Sequence, residues 1–513
     1  MGWPNNYAEY TYDTNGNVVG LVSAPLGTVS KNSIAVLGTS IEGLTSDSFG
    51  YLSRGAIPLA NQILGCPFSS IGNFGVSSDT SGPSVTGSTN AGMTSRVASI
   101  ISGGYSWCYV GFPINDCTQA ASYPAITLEW SKENMKYIYD TLLAAGINVI
   151  AVTGAPTSLL NSNSTGIYRN RYDELQKYIK DYATSKLGMF LVDTANALTD
   201  PATGIPFTSP ATTLGDGIHD NYEGAMRKAQ CIVDKIQSIV KPLPITITNN
   251  FSHRNYVTNP MGLGSNATGV NGASLTTLTG NFVPNGWRVS SRNTGAGVVS
   301  KVSRASLFKQ PSQGTRIAFT ATSNYDGAII RLGGDDIIGN TGRYDQNWAA
   351  TTAYTYGDRK KPSVSNGFHY VVITPGTSGG SEPTWTTNEG DFIVDNTVTW
   401  MCQKTPTTGD QFYAEVEVET SGLTVGKGGA INLRVRTIDN TGSGQESAYA
   451  NFYDLSGSLG VPARYLPPIM ILRTPIITIG NHTIRYLLAD ISMYGEAGAS
   501  FNVDIYRAAI VRV

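Results

Sequence analysis

The sequence predicts a three-layer α/β domain with a parallel sheet, followed by an all-β sandwich that carries a small inserted β module. Three observations predict it. Residues 33–241 alternate short apolar runs with segments of helical periodicity, the pattern of a parallel sheet covered on both faces. Lys241-Pro242-Leu243-Pro244 breaks that pattern, and the chain beyond turns to short alternating runs separated by turns. Within this β-rich part, residues 347–403 hold three of the seven tryptophans, and the sandwich pattern resumes at Gly409.

Taken in order, residues 1–32 form a lead-in. Asn15-Gly16 lies between alternating residues and predicts a β-hairpin. Ile34-Ala35-Val36-Leu37 predicts a buried strand, and Gly38-Thr39-Ser40 a turn. A partly helical stretch follows, with Phe49, Leu52, Leu59, Ile63 and Leu64, closed by Gly65. Trp107–Val110 predicts a second strand. Ser131 is placed as the N-cap of a helix with Met135, Ile138, Leu142 and Leu143 at helical spacing, stopped by Gly146. Val149–Val152 is a strand. Tyr168, Tyr172, Leu175, Ile179 and Tyr182 mark a helix ended by Gly188. Phe190–Val192 is a strand. Met226, Ala229, Val233, Ile236 and Val240 mark the last helix. This domain, 33–244, is long enough to bury its own core.

The sandwich spans 245–346 plus 404–513. Its runs include Val298–Val302, Arg316–Thr320, Tyr413–Val418 and Ile431–Val435. The module at 347–403 sits in a loop of it, where insertion costs little. Its tryptophans suit either the core of a small domain or platforms for sugar rings, and the core reading is favoured.

Charged residues make up 14% of the chain and the formal net charge is −2. No basic field is available for nucleic acid. The N-terminus shows no basic and apolar leader, so no signal peptide is expected. No apolar run approaches the roughly 20 residues of a membrane helix, so no membrane insertion is expected. Five cysteines are scattered without a Cys-x-x-Cys pair, which predicts buried free thiols rather than disulfides or zinc.

Ser40 lies at the carboxyl end of a strand and before a helical segment, where a turn exposes its hydroxyl and a helix N-terminus favours negative charge. His219 is the only histidine of the α/β domain, so a histidine base for Ser40 has one candidate. Asp216, three residues before it, can orient the ring. Asn115 follows the Trp107–Val110 strand and could supply an amide to an oxyanion. Asn73–Thr80 is read as a flexible polar loop that could supply a backbone N–H. Arg96 could contact a sugar or an acid, but the solvated reading is favoured. Asp47, Asp79, Asp116 and Asp220 show no glycosidase-like pairing. Gly376-Thr377-Ser378-Gly379-Gly380 fits the formula of a nucleophile elbow, but Glu382-Pro383 follows and no helix is predicted, so it is read as a loop.

The four segments, in this order, resemble the blocks of the SGNH (GDSL-type) hydrolase family of esterases. Gly38-Thr39-Ser40 is similar to the first block, Asn73–Thr80 to the second, Pro113–Asp116 to the third and Asp216-x-x-His219 to the last. Thr39 stands where the family has Asp, Ser78 where it has Gly, and Pro113 where it has Gly. The resemblance implies Ser40 as nucleophile, His219 as base and Asp216 as its orienting acid. It implies an oxyanion hole from the N–H groups of Ser40 and of Ser78 or Gly75, with the Asn115 amide, and no metal or organic cofactor. The C-terminal part resembles modules of phage tailspike and tail fibre proteins, and its sandwich a carbohydrate-binding jelly roll. Together these imply a virion esterase acting at a host surface. It would remove O-acetyl groups from a bacterial capsule or lipopolysaccharide, with other tail proteins as partners. The tailspike resemblance favours a homotrimer. A secreted carbohydrate esterase or lipase, and a glycan-binding adhesin with a decayed site, are the alternatives.

Overall fold

A computed structural model of the chain describes residues 10–12, 18–21, 32–43, 55–83, 91–120, 122–161, 166–207, 216–220, 222–241, 252–257, 278–280, 283–284, 287–293, 296–305, 311–332, 344–422, 424, 429–451 and 469–513. Strands β1 (Tyr10–Tyr12) and β2 (Val18–Leu21) pair antiparallel; the Asn15-Gly16 turn lies outside the described residues. So do Phe49 and Leu52.

Five parallel strands form the sheet of the first domain: β3 (Ser33–Gly38), β4 (Ser70–Gly75), β5 (Trp107–Val110), β6 (Asn148–Val152) and β7 (Met189–Val192), in the order β4-β3-β5-β6-β7. Nine α-helices are described between and after them, with one 3₁₀ turn at Met93–Arg96. They are α1 (Ser40–Gly43), α2 (Ala56–Ile63), α3 (Val97–Ser102), α4 (Ile114–Thr118), α5 (Leu128–Ala144), α6 (Ser158–Asn161), α7 (Ile167–Thr184), α8 (Thr194–Leu198) and α9 (Tyr222–Ile236). Alternation along β3 explains the layers. Ile34 and Val36 pack into one core with Leu59 of α2 and Met226 and Ile232 of α9. Ala35 and Leu37 pack into a second with Ile138 and Leu142 of α5 and Leu175 and Ile179 of α7. A strand buried on both faces is what a continuous apolar run encodes.

Two local expectations are corrected. The N-cap of α5 is Thr127, whose side chain accepts the Trp130 N–H at 3.1 Å; Ser131 lies inside the helix and donates to the Thr127 carbonyl. Asn73–Gly75 is not loop but the end of β4, in register with Val36–Gly38. An edge strand with polar, half-exposed residues carries little periodic signal. Among the described residues no helix is long and apolar enough to cross a membrane. All five cysteines are free, and four of them are buried.

The C-terminal part stacks two sheets. One runs Ile469–Arg473, Gln411–Ser421, Ser500–Arg512, Pro311–Thr320, Ala296–Ala305 and Leu278–Gly280, with Ile477–Thr478 beside Gln411. The other runs Gly444–Asn451, Gly429–Asp439, Ile484–Gly495, Asp326–Leu332 and Trp287–Arg292. Pairing is antiparallel except for Leu278–Gly280. Residues 353–404 add two small sheets with a core of Tyr354, Tyr370, Val372 and Trp400. Trp400 is fully buried, Trp385 stacks on Tyr370 with ring centroids 4.1 Å apart, and Trp348 donates to Asp395 at 2.8 Å. These tryptophans serve the module's own packing. His369 is buried against Gln403 at 2.8 Å, and burial pushes its pKa down to about 3, so it is neutral. Helix α2 leans on the sandwich through Gln62, which exchanges two 3.1 Å hydrogen bonds with the Arg473 backbone.

Candidate active site

In a sheet of order β4-β3-β5-β6-β7 the chain leaves β3 to one side and returns to the other, so a crevice opens at the carboxyl ends of β3 and β5. Ser40 lies there, at the first position of α1. Thr39-x-x-Glu42 is the sequence form of a capping box, and Glu42 Oε2 accepts the Thr39 N–H at 2.9 Å. That bond curls the chain sharply and leaves the first N–H groups of α1, Ser40's included, pointing off the helix end. Two glycines make room for the curl. A Cβ on Gly38 would lie 2.2 Å from Glu42 Oε2, and one on Gly111 2.2 Å from Glu42 Cδ.

Asp216, Gly217, Ile218 and His219 form a tight loop. Asp216 Oδ1 accepts the N–H of Ile218 at 2.9 Å and of His219 at 2.7 Å. Gly217 has φ +82°, the left-handed region that suits glycine. The second carboxylate oxygen of Asp216 meets His219 Nδ1 at 2.7 Å, and His219 Nε2 meets Ser40 Oγ at 3.0 Å. A ring that donates its Nδ1–H to Asp216 presents Nε2 as the acceptor of the serine proton. Burial works to raise the Asp216 pKa, but the hydrogen bonds from the His219 ring and from the two backbone N–H groups outweigh it and hold the carboxyl down at about 2. Asp216 is therefore an anion throughout the range in which histidine titrates.

The structure separates the two second-block candidates. The Gly75 N–H is engaged by Asn73 Oδ1 at 2.8 Å, so the expectation that Gly75 offers a donor to an oxyanion is corrected. Gly75 matters sterically: a Cβ there would lie 2.2 Å from the Gly43 nitrogen. Ser78 has φ +59°, the conformation a glycine would adopt. Its N–H has no partner among the described residues. Asn115, at the start of α4, donates from Nδ2 to the Asp79 carbonyl at 2.7 Å, which sets the amide beside the Ser78–Asp79 turn with a second N–H to spare.

Sequence reasoning missed the frame behind these groups. Arg96 is not solvated. It pairs with buried Asp79 and donates from Nη2 to the Gly38 carbonyl at 3.0 Å, two residues before Ser40. Asp116 accepts Ser81 N–H at 2.9 Å and Ser81 Oγ–H at 2.5 Å, and burial pushes its pKa up to about 6. Arg96 has no local signal in the sequence. Glu42 had one, the capping-box spacing from Thr39.

Ser378 follows a two-residue strand, Gly376–Thr377, in an irregular segment with no helix behind it. It is 1% exposed, and its Oγ donates to the Ala349 carbonyl at 2.8 Å.

No family model matches the chain, and no curated protein matches it. Solved structures similar to it include a carbohydrate acetylesterase from Sinorhizobium meliloti, at 18% identity over 41% of this chain and 100% of that one, with a TM-score of 0.32. A catalytic mutant of an acetylxylan esterase from Geobacillus stearothermophilus is similar at 16% identity over 42% and 97%, with a TM-score of 0.31. A GDSL-like lipase from Bacteroides thetaiotaomicron is similar at 15% identity over 41% and 90%, with a TM-score of 0.31.

Proposed function

We propose that the first domain is a serine esterase of SGNH type, and that its substrate is an O-acetylated glycan of a bacterial surface. The observation that carries the reading is the hydrogen-bonded line Asp216–His219–Ser40, at 2.7 and 3.0 Å. In this reading His219 Nε2 takes the Ser40 proton as Oγ attacks the acetyl carbonyl. The N–H groups of Ser40 and Ser78 and the Asn115 amide receive the developing oxyanion. The sugar hydroxyl leaves with the proton from His219, and water, deprotonated by the same ring, releases acetate from Ser40.

The setting supports the glycan as substrate: an α/β domain followed by stacked β sheets, in a chain of low charge rich in Gly and Tyr. The resemblance of the C-terminal part to tail modules extends the proposal to a tailspike or tail fibre acting at the host surface. Hydrolysis of p-nitrophenyl acetate and of acetylated bacterial polysaccharides, by wild type and by Ser40→Ala, tests the reading. Acetate release by wild type that is lost in Ser40→Ala is the expected result. A wild type inactive on every ester, or an unimpaired Ser40→Ala, rejects it.

A further inference from the structure

The residues next to Ser40 and His219 meet a second time, at the wall of one small cavity. Glu42 is 3% exposed and holds the Thr39 N–H inside the fold. It borders a small cavity whose other polar walls are Asp220, Lys228 and Tyr109, with Val36 and Ile57 among the apolar ones. Lys228 reaches in from α9, its Nζ 2.6 Å from Asp220 Oδ2, and both side chains are under a tenth exposed. Asp220 directly follows His219, and its Oδ1 is buried with no hydrogen-bond partner among the described residues. One buried ammonium, paired with the carboxylate next to the base, thus lines the same cavity as the carboxyl that shapes the nucleophile turn.

We propose that Glu42, Lys228 and Asp220 form one buried positioning unit that keeps the Ser40 turn and the His219 loop at hydrogen-bond distance. The proposal rests on the esterase reading above. Its physical basis is charge balance. Two carboxyls and one ammonium, each under a tenth exposed, are neutral together only when one carboxyl keeps its proton. Asp220 has the ammonium in contact, so the proton belongs to Glu42. Burial raises the Glu42 pKa, to about 7, against the pull of Lys228 and of the Thr39 N–H and with the push of Asp220. Tyr109, the remaining titratable wall, is kept neutral by burial and by the same two carboxyls.

Below neutrality, then, Lys228 belongs to Asp220 alone and the base loop is held. Once Glu42 ionises, its carboxylate competes for Lys228 and slackens the hold on Asp220. Activity should decline on the alkaline side, where a histidine base alone would leave a plateau.

The test measures kcat and KM on p-nitrophenyl acetate from about pH 5 to about pH 9 for full-length wild type, Glu42→Gln and Lys228→Met, with thermal melts of each. Gln keeps an oxygen for the Thr39 N–H, as it does in other capping boxes, but cannot ionise. Glu42→Gln is expected to remove the alkaline decline. Lys228→Met is expected to lower kcat by about tenfold or more with KM within about twofold. Should Lys228→Met not fold, Asp220→Asn takes its place, with the same split between kcat and KM expected. An active wild type whose alkaline decline persists in Glu42→Gln, or whose kcat survives the Lys228 or Asp220 change, overturns the positioning unit. A wild type with no esterase activity overturns the esterase reading instead.

Discussion

The tripeptide Gly-Thr-Ser occurs at 38–40 and again at 376–378, and the two copies do opposite things. After the first comes Ile41-Glu42-Gly43, and Glu42 closes a capping box that lifts Ser40 onto a helix end facing His219. After the second comes Gly379-Gly380, with no helix former and no cap. Ser378 turns inward, donates to the Ala349 carbonyl and accepts the Thr352 N–H at 3.0 Å. A hydroxyl committed on both sides and closed off from solvent cannot meet an ester. The serine's own tripeptide decides little; the residues that follow it, and the loop it faces, decide the rest.

That contrast can be broken at several points. The largest effect is expected at Ser40 and His219, where either change to Ala should lower kcat by about 10³-fold or more, since the two act as a unit; steady-state hydrolysis of p-nitrophenyl acetate measures it. Gly75→Ala forces a Cβ onto the Gly43 nitrogen, so α1 must shift. A loss of about 2–3 kcal/mol in a urea melt is expected, with activity falling alongside it.

Glu42→Gln comes next, because Glu42 is what the second Gly-Thr-Ser lacks. Its folded pKa, about 7, lies above the usual 4.5. Between those two values the unfolded chain binds fewer protons than the folded one, so stability falls as pH rises through that window. Gln removes the fall. Melts near pH 5 and near pH 8 should show a gap in favour of Glu42→Gln that widens by on the order of 2 kcal/mol at the higher pH.

Ser378→Ala loses the hydroxyl's internal hydrogen bonds and should cost about 1–2 kcal/mol of stability with no change in kcat. The smallest effect is expected from Ser78→Gly. Glycine accepts φ +59° without strain, so kcat should hold and stability should rise by about 1 kcal/mol or less.

Much of the site could be read from the chain because its parts sit at strand ends marked by apolar runs. Ile34–Leu37 and Trp107–Val110 are strands as expected, and His219 had no rival in its domain. What could not be read depends on backbone detail or on distant partners. The left-handed Ser78 and the engaged Gly75 N–H follow from how β4 abuts α1, which periodicity does not encode. Arg96 reads as solvated until Asp79 and the Gly38 carbonyl are brought to it from other segments. Lys228 and Glu42 are residues that a sequence places at the surface by default. Only the fold, which sets α9 against the face of β3 that carries Val36, brings them to the wall of one cavity. The tryptophans of 347–403 were open to two readings; the structure buries Trp400 fully and packs half-buried Trp348 and Trp385 against the module's core.

The most direct test is to treat the full-length protein with a fluorophosphonate and map the adduct by peptide mass spectrometry. A single phosphonyl group on Ser40, none on Ser378, and loss of labelling in His219→Ala is the predicted result. Labelling of Ser378, or no labelling of Ser40 in the folded wild type, would contradict the account.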